Sequence, residues 1–141
     1  MTRVVISGLV AIHLAASVWH GSAHTQLAIT LTPEESLFVY VVILTAPLAA
    51  AGLVWTRHFS IGVWLLFLSM LGALIFGVYH HYVVVSPDNI GHLPSGSPAS
   101  QSRFIVSAAV IALLELASAL YAAFCLGSQR ASAPGAVTAA S

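Results

Sequence analysis

An all-α, integral membrane four-helix bundle with up-down-up-down connectivity is the fold class this sequence predicts, and three observations predict it. Hydrophobic residues fill 59% of the 141 positions and charged residues only 6%, a balance no soluble domain of this size shows. Four apolar stretches are each long enough to cross a hydrocarbon core of about 30 Å, which takes about 20 helical residues. The Arg57-His58-Phe59-Ser60 connection is so short that the helices on either side of it must be antiparallel neighbours.

The first stretch, residues 4–28, follows Arg3 and ends near the small residues Gly21 to Ala23, which gives it the outline of a secretory signal. Its apolar run is longer than a signal core, so it is expected to stay as a helix. Thr32-Pro33-Glu34-Glu35 then has the form of a capping box, with Thr as the cap, Pro in the first turn and Glu three residues on. The second helix, 36–56, starts from it, and Pro47 is expected to kink it. The third helix covers 60–85. A long loop, Ser86 to Ser102, holds Pro87, Gly91, Pro94, Gly96 and Pro98 and leads to the fourth helix, 104–126. Residues 1–126 form the bundle. Residues 127–141 are rich in Ala, Ser, Gly, Pro and Thr and read as a disordered cytoplasmic tail.

Charge sets the expected orientation. Arg3, Arg57 and Arg130 fall on one side of this topology and Arg103 on the other, so the positive-inside rule puts both termini in the cytoplasm and loop 86–102 outside. Lipid is the predicted surrounding, other membrane subunits or a second copy are possible partners, and nothing points to nucleic acid. The one cysteine, Cys125, excludes an intrachain disulfide or a Cys-x-x-Cys site and reads as packing.

Histidine carries the chemistry. Of seven in the chain, His20, His24, His80, His81 and His92 fall toward the outer end. At 100° per residue, His13, Ser17, His20 and His24 lie within about 60° of one another and form one polar stripe on the first helix. Imidazoles facing lipid are unfavourable, so the stripe should face protein. On the third helix Gly62, Ser69, Ala73, Gly77 and His80 form a comparable face, with small residues that permit close packing. The 1.5 Å rise per residue puts His20 and His80 each about 9 Å below the outer boundary, with His24 and His81 shallower. It also puts His13 about 20 Å and Glu115 about 18 Å from the same side, which makes them a candidate buried polar pair.

Two histidines four residues apart can coordinate one ion from a single helix face, and a third from another helix would complete a three-imidazole site for copper, zinc or iron. The predicted metal-ligating set is therefore His20, His24 and His80, with His81 or His92 as a further contributor. A di-iron carboxylate bundle is disfavoured because no Glu-x-x-His pair occurs. A Cu(I)-thioether path is disfavoured because Met1 and Met70 are the only methionines.

Two other readings stand beside the metal. His20 and His80 could bridge a b-type haem in an electron-transfer subunit; the chain resembles the four-helix membrane anchors of respiratory enzymes in architecture alone, and only Arg103 is placed to pair with propionates. A non-catalytic accessory subunit of a larger membrane complex would suit the low charge equally. No catalytic triad, phosphate loop or dinucleotide fingerprint is present, so enzyme, carrier and sensor stay open. Elsewhere the quieter roles fit best. Glu34 and Glu35 cap a helix, His58 sits at the cytoplasmic boundary, and Trp19, Trp55, Trp64, Tyr40, Tyr79 and Tyr82 suit interfacial anchoring. Gly77-Val78-Tyr79-His80-His81-Tyr82 followed by Ser86-Pro87-Asp88 looks like a motif without naming an activity.

Overall fold

The structure, a computed structural model, describes residues 1–131, all helix, turn and loop with no strand among them. Its four long helices are α1, Thr2–Gln26; α2, Pro33–Leu53; α3, Phe59–Val83; and α4, Pro98–Ala131. Each is long and apolar enough to cross a membrane. Large apolar side chains such as Ile12, Leu68, Leu113 and Phe124 point outward all round the bundle, where lipid rather than water would suit them.

α1 ends in a turn that lets the chain fold back. Ile29 N–H donates to His24 C=O at 3.0 Å and Ala28 N–H to Thr25 C=O at 3.3 Å, the paired bonds of a Schellman cap, with Ala28 left-handed at φ 52°. That conformation costs an alanine about 1 kcal/mol, and it seats Ile29 against Ala23, Leu27 and Phe104. α2 opens on the capping box: Glu35 N–H donates to Thr32 Oγ1 at 3.2 Å and Thr32 N–H to Glu35 Oε2 at 2.7 Å.

Proline marks a change of winding in α2. Pro47 cannot donate to the carbonyl four residues back and its ring crowds that carbonyl; the preceding segment, Val39–Thr45, widens into π-helix. A second π segment, Tyr79–Val83, ends α3. Beyond it Asn89 Nδ2 donates to Val84 C=O and Ile90 N–H to His81 C=O, so the chain after α3 doubles back over the helix end and buries Asp88 and Asn89.

α4 is longer than expected at both ends. It begins at Pro98, where Ser97 Oγ accepts the Ser100 N–H at 3.1 Å, and it continues through 127–131, which were expected in the tail. The rest of that tail, 132–141, lies outside the described residues.

Packing is closest between α3 and α4, between α1 and α4, and between the Ala46–Leu53 part of α2 and α3. An apolar core of Ile6, Val10, Val54, Leu66, Met70, Ala122 and their neighbours joins all four helices at one end. Trp55 Nε1 donates to Ser7 Oγ there, and Ser60 Oγ donates to Gln129 Oε1. At the other end Ala23, Leu27, Ile29 and Phe104 form a second, smaller core under Ile90 and Leu93. A polar layer lies between the two: His13, Ser69, Ser107, Glu115 and Ser118 are all buried.

Gly62 sets how closely α2 and α3 approach. A Cβ there would stand 2.8 Å from Val54 Cγ1, 2.9 Å from Val54 N and 3.0 Å from Ala50 O, and two of those atoms are backbone. Gly62→Ala is expected to destabilise the protein by about 1–3 kcal/mol through overpacking, whereas Gly8→Ala, with nothing within 4 Å, is expected to be neutral or slightly stabilising. Thermal unfolding in detergent checks both, and equal midpoints for the two variants would show that the α2–α3 contact is not so tight.

Candidate metal centre

His20, His24 and His81 converge. Each offers one ring nitrogen, and the three nitrogens lie within 4.8 Å of one another. α1 supplies two of them because four residues make just over one turn, which stacks His20 and His24 with their Nε2 atoms 3.1 Å apart. α3 supplies the third. The ring centroids of His20 lie 4.7 Å from His24 and 4.9 Å from His81. Phe104 of α4 forms an apolar floor, its ring 4.8, 5.2 and 5.3 Å from His20, His24 and His81, and it is fully buried.

Two of the three imidazoles are held from behind. Ser107 Oγ donates to the Arg103 carbonyl at 2.7 Å, so its oxygen accepts from His20 Nδ1 at 2.8 Å. His81 Nδ1 donates to the Asp88 carbonyl at 3.0 Å. In each ring the proton therefore sits on Nδ1 and the lone pair on Nε2, where that of His20 accepts from His24 Nε2; anchoring through Nδ1 is what orients metal-bound histidines in general. The Asp88 carboxylate completes the set: its Oδ1 stands 3.2 Å from His24 Nε2 and 3.4 Å from His81 Nδ1, close enough for ion pairing though aligned as a hydrogen bond with neither.

Four donors arranged tetrahedrally about zinc at 2.0–2.1 Å stand roughly 3.3 Å apart. The His20–His24 separation already matches this, and His81 is within reach by a side-chain adjustment. Three neutral imidazoles with one carboxylate beside them suit a divalent ion of zinc, copper or iron type.

The expected ligand set is corrected at one position. His80, assigned to the site with His20 and His24, is not in the group; its Nδ1 lies 3.5 Å from Glu35 Oε1 and its ring stacks on Phe76 at 4.3 Å. The cause is the π segment. A straight α-helix leaves residues three and four beyond Gly77 about equally near its face, but the wider π turn carries the face to the later one, and a Cβ on Gly77 would meet His81 Cδ2 at 3.9 Å. His80, the residue expected to bridge a haem with His20, thus has its contacts on Glu35 and Phe76. His92, the remaining candidate, turns to its own loop, with Nδ1 3.3 Å from Asn89 Oδ1. Glu35 both caps α2 and contacts His80, tying α2 to the end of α3.

Asp88, Ser107 and Phe104 did not stand out in the sequence. Ser107 had a signal: it lies two turns from Glu115 on the side of α4 that carries Ala108, Ala112 and Ala119. Asp88 had none, since only the folded loop brings it over the histidines.

Below the centre, His13 Nε2 lies 3.3 Å from Glu115 Oε1, with both residues 1% exposed. The other carboxylate oxygen, Oε2, is buried without a partner. It borders a cavity of about 400 Å³ that extends from Glu115 to His20, His24, His81 and Asp88 between apolar walls. The arrangement thus offers a converging donor set, a void beside it and a carboxylate at the far end of the void.

No protein-family model, curated protein or solved structure matches this chain, so function has to be argued from the chemistry of the site.

Removing one member of a buried polar pair leaves the other without compensation. His13→Leu is expected to cost about 3–5 kcal/mol, and adding Glu115→Leu should recover most of that loss. A double-mutant cycle on unfolding in detergent measures the coupling, and simply additive losses would show that the pair does not act as a unit.

Proposed function

We propose that this chain is an integral membrane protein that holds one transition-metal ion, copper, zinc or iron, on His20, His24 and His81 near the outer face. The observation that carries the reading is the convergence of three imidazoles from two helices within 4.8 Å, with two of them fixed through Nδ1. Chance burial of single histidines produces hydrogen-bonded pairs such as His13 with Glu115; three imidazoles from two helices with a ring nitrogen apiece within 4.8 Å are a larger gathering than that. Asp88 supplies a negative charge beside the ion, and Phe104 keeps water from its underside. When bound, such an ion supplies Lewis acidity or, for copper and iron, electron transfer.

The cavity opens on the donor set and ends at Glu115. Beyond it the apolar core of Ile6, Val10, Leu66 and Met70 fills the bundle, so the cavity does not continue to the opposite end. That favours an enzyme or a sensor over a carrier that passes its cargo through the bundle.

Both termini are cytoplasmic in this reading, and the helices alternate in direction. Contacts of Trp55 with Ser7 and of Ser60 with Gln129 support the alternation, since they join the start of α1 to the end of α2 and the start of α3 to the end of α4. Arg3 and Arg57 fall at that end of the helices and Arg103 near the other, which supports the orientation.

The purified protein is expected to carry one metal equivalent by elemental analysis. His20→Ala, His24→Ala and His81→Ala should each lose it, while His80→Ala and His92→Ala keep it. Metal retained in all three of the first group would overturn the centre, and wild-type protein with neither metal nor a haem spectrum would favour an accessory subunit. For orientation, a cysteine placed at Ser95 should react with an impermeant reagent added from outside, and labelling solely from the cytoplasm would reverse the topology.

A further inference from the structure

The cavity beside the metal centre is shaped for a guest of its own. Its volume of about 400 Å³ falls within the range of small-molecule sites. Val39, Ile43, Leu44, Phe76 and Ala112 are among its walls, and an apolar wall rewards an apolar body. At its inner end stands Glu115 Oε2, an acceptor on a residue 1% exposed that lacks any donor. A buried acceptor left unsatisfied costs about 1–3 kcal/mol, more when charged, so a guest bringing one N–H or O–H to that oxygen would gain what the fold leaves unmade.

The way in is lateral. The π segment of α2 packs on α3, to which Phe38 and Glu35 also reach through Phe76 and His80, and the cavity is lined on its α1 side by Val18 and on its α2 side by Tyr40, which are 66% and 65% exposed. A slot between two helices at membrane depth admits molecules dissolved in lipid. Charge narrows the class further. An anion would meet the carboxyl groups of Glu115 and Asp88, and a cation would have to shed its water to arrive through lipid, which leaves a neutral donor.

We propose that this cavity binds a neutral, lipid-soluble molecule bearing a hydroxyl on an apolar ring, a phenol or hydroquinone, with the O–H donating to Glu115 Oε2 and the ring lying among the apolar walls toward His81. A Cβ built on Gly77 would touch both Glu115 Oε2, at 3.8 Å, and His81 Cδ2, at 3.9 Å. The carboxylate oxygen and the imidazole edge therefore both border the space beside Gly77, and the missing side chain there keeps it open. The guest would sit against the metal centre without needing it for binding.

A 4-alkylphenol and its methyl ether separate this site from ordinary partitioning into lipid, because they share an apolar body and only the phenol can donate. Binding is measured by equilibrium dialysis against protein in lipid nanodiscs and against empty nanodiscs, with metal-loaded and with chelator-stripped protein. The phenol is expected to bind saturably, about tenfold or more tighter than the ether, equally in both preparations. Ala112→Phe, which fills the cavity away from the His13–Glu115 contact, should abolish the difference. If that variant does not fold, Val18→Trp, whose indole would fill the cavity from its exposed mouth, should weaken phenol binding to that of the ether instead. Equal binding of phenol and ether would overturn the proposal, and so would binding unaffected by the variant that folds. Loss of phenol binding on metal removal would place the hydroxyl on the metal and overturn the Glu115 assignment, whereas a protein that never holds metal but still prefers the phenol would leave it standing.

Discussion

A carboxyl group among apolar helices must be given partners from within the bundle, and Glu115 imposes that requirement on the rest of the fold. It sits near the middle of α4, 1% exposed, where an isolated charge costs several kcal/mol. Its partner has to come from another helix at the same depth, and His13 of α1 provides it at 3.3 Å. That contact fixes both the register and the rotation of α1 against α4. Once α1 is turned so that His13 faces inward, helical periodicity turns His20 inward as well, seven residues on and about 20° short of two full turns. The imidazole cluster is in this sense a consequence of the buried pair: the same stripe that satisfies Glu115 delivers two imidazoles to the upper end.

Much of this was legible in the residues because it depends on periodicity alone. The polar stripe of α1, the cap at Thr32 and the matching depths of His13 and Glu115 each follow from a fixed rise and a fixed angle per residue. Failure came where the angle changes. Pro47 announced an irregularity in α2 but not that it would take the form of π winding, and at Tyr79–Val83 a second π segment with no proline to announce it selects His81 over His80. Ser97-Pro98 repeats the cap-then-proline signal of Thr32-Pro33, and reading it the same way would have started α4 there instead of six residues later. Asp88 was beyond reach, since its place over the histidines depends on a loop held by Asn89 and Ile90 hydrogen bonds that no local pattern encodes.

The two ends of the bundle differ in what their packing permits. At the Trp55 and Ser60 end, Gly62 and a continuous apolar core bring α2 against α3 with no room to spare. At the other end the upper half of α2 stays off α1, and imidazoles, Asp88 and the cavity occupy the space that side chains fill elsewhere. Close packing is lowered in energy by dispersion and burial, so an open half is a feature the closed half must stabilise. The long α3–α4 and α1–α4 contacts are well placed to do so, because both run past the polar layer into the dense core.

Wide π turns make sense in that setting. Each holds an extra residue in the turn at the expense of helix geometry, and both lie at the open end: one forms the wall contributed by Val39, Tyr40, Ile43 and Leu44, the other presents His81. Unwinding either to regular α-helix would rotate the residues beyond it by a large fraction of a turn. His81 would then leave Asp88, and the apolar wall would turn away from Glu115. The geometry of the donor set and the shape of the void beside it are therefore coupled through backbone winding, and a change that restores regular helix at Tyr79–Val83 would act on the metal centre and the cavity together.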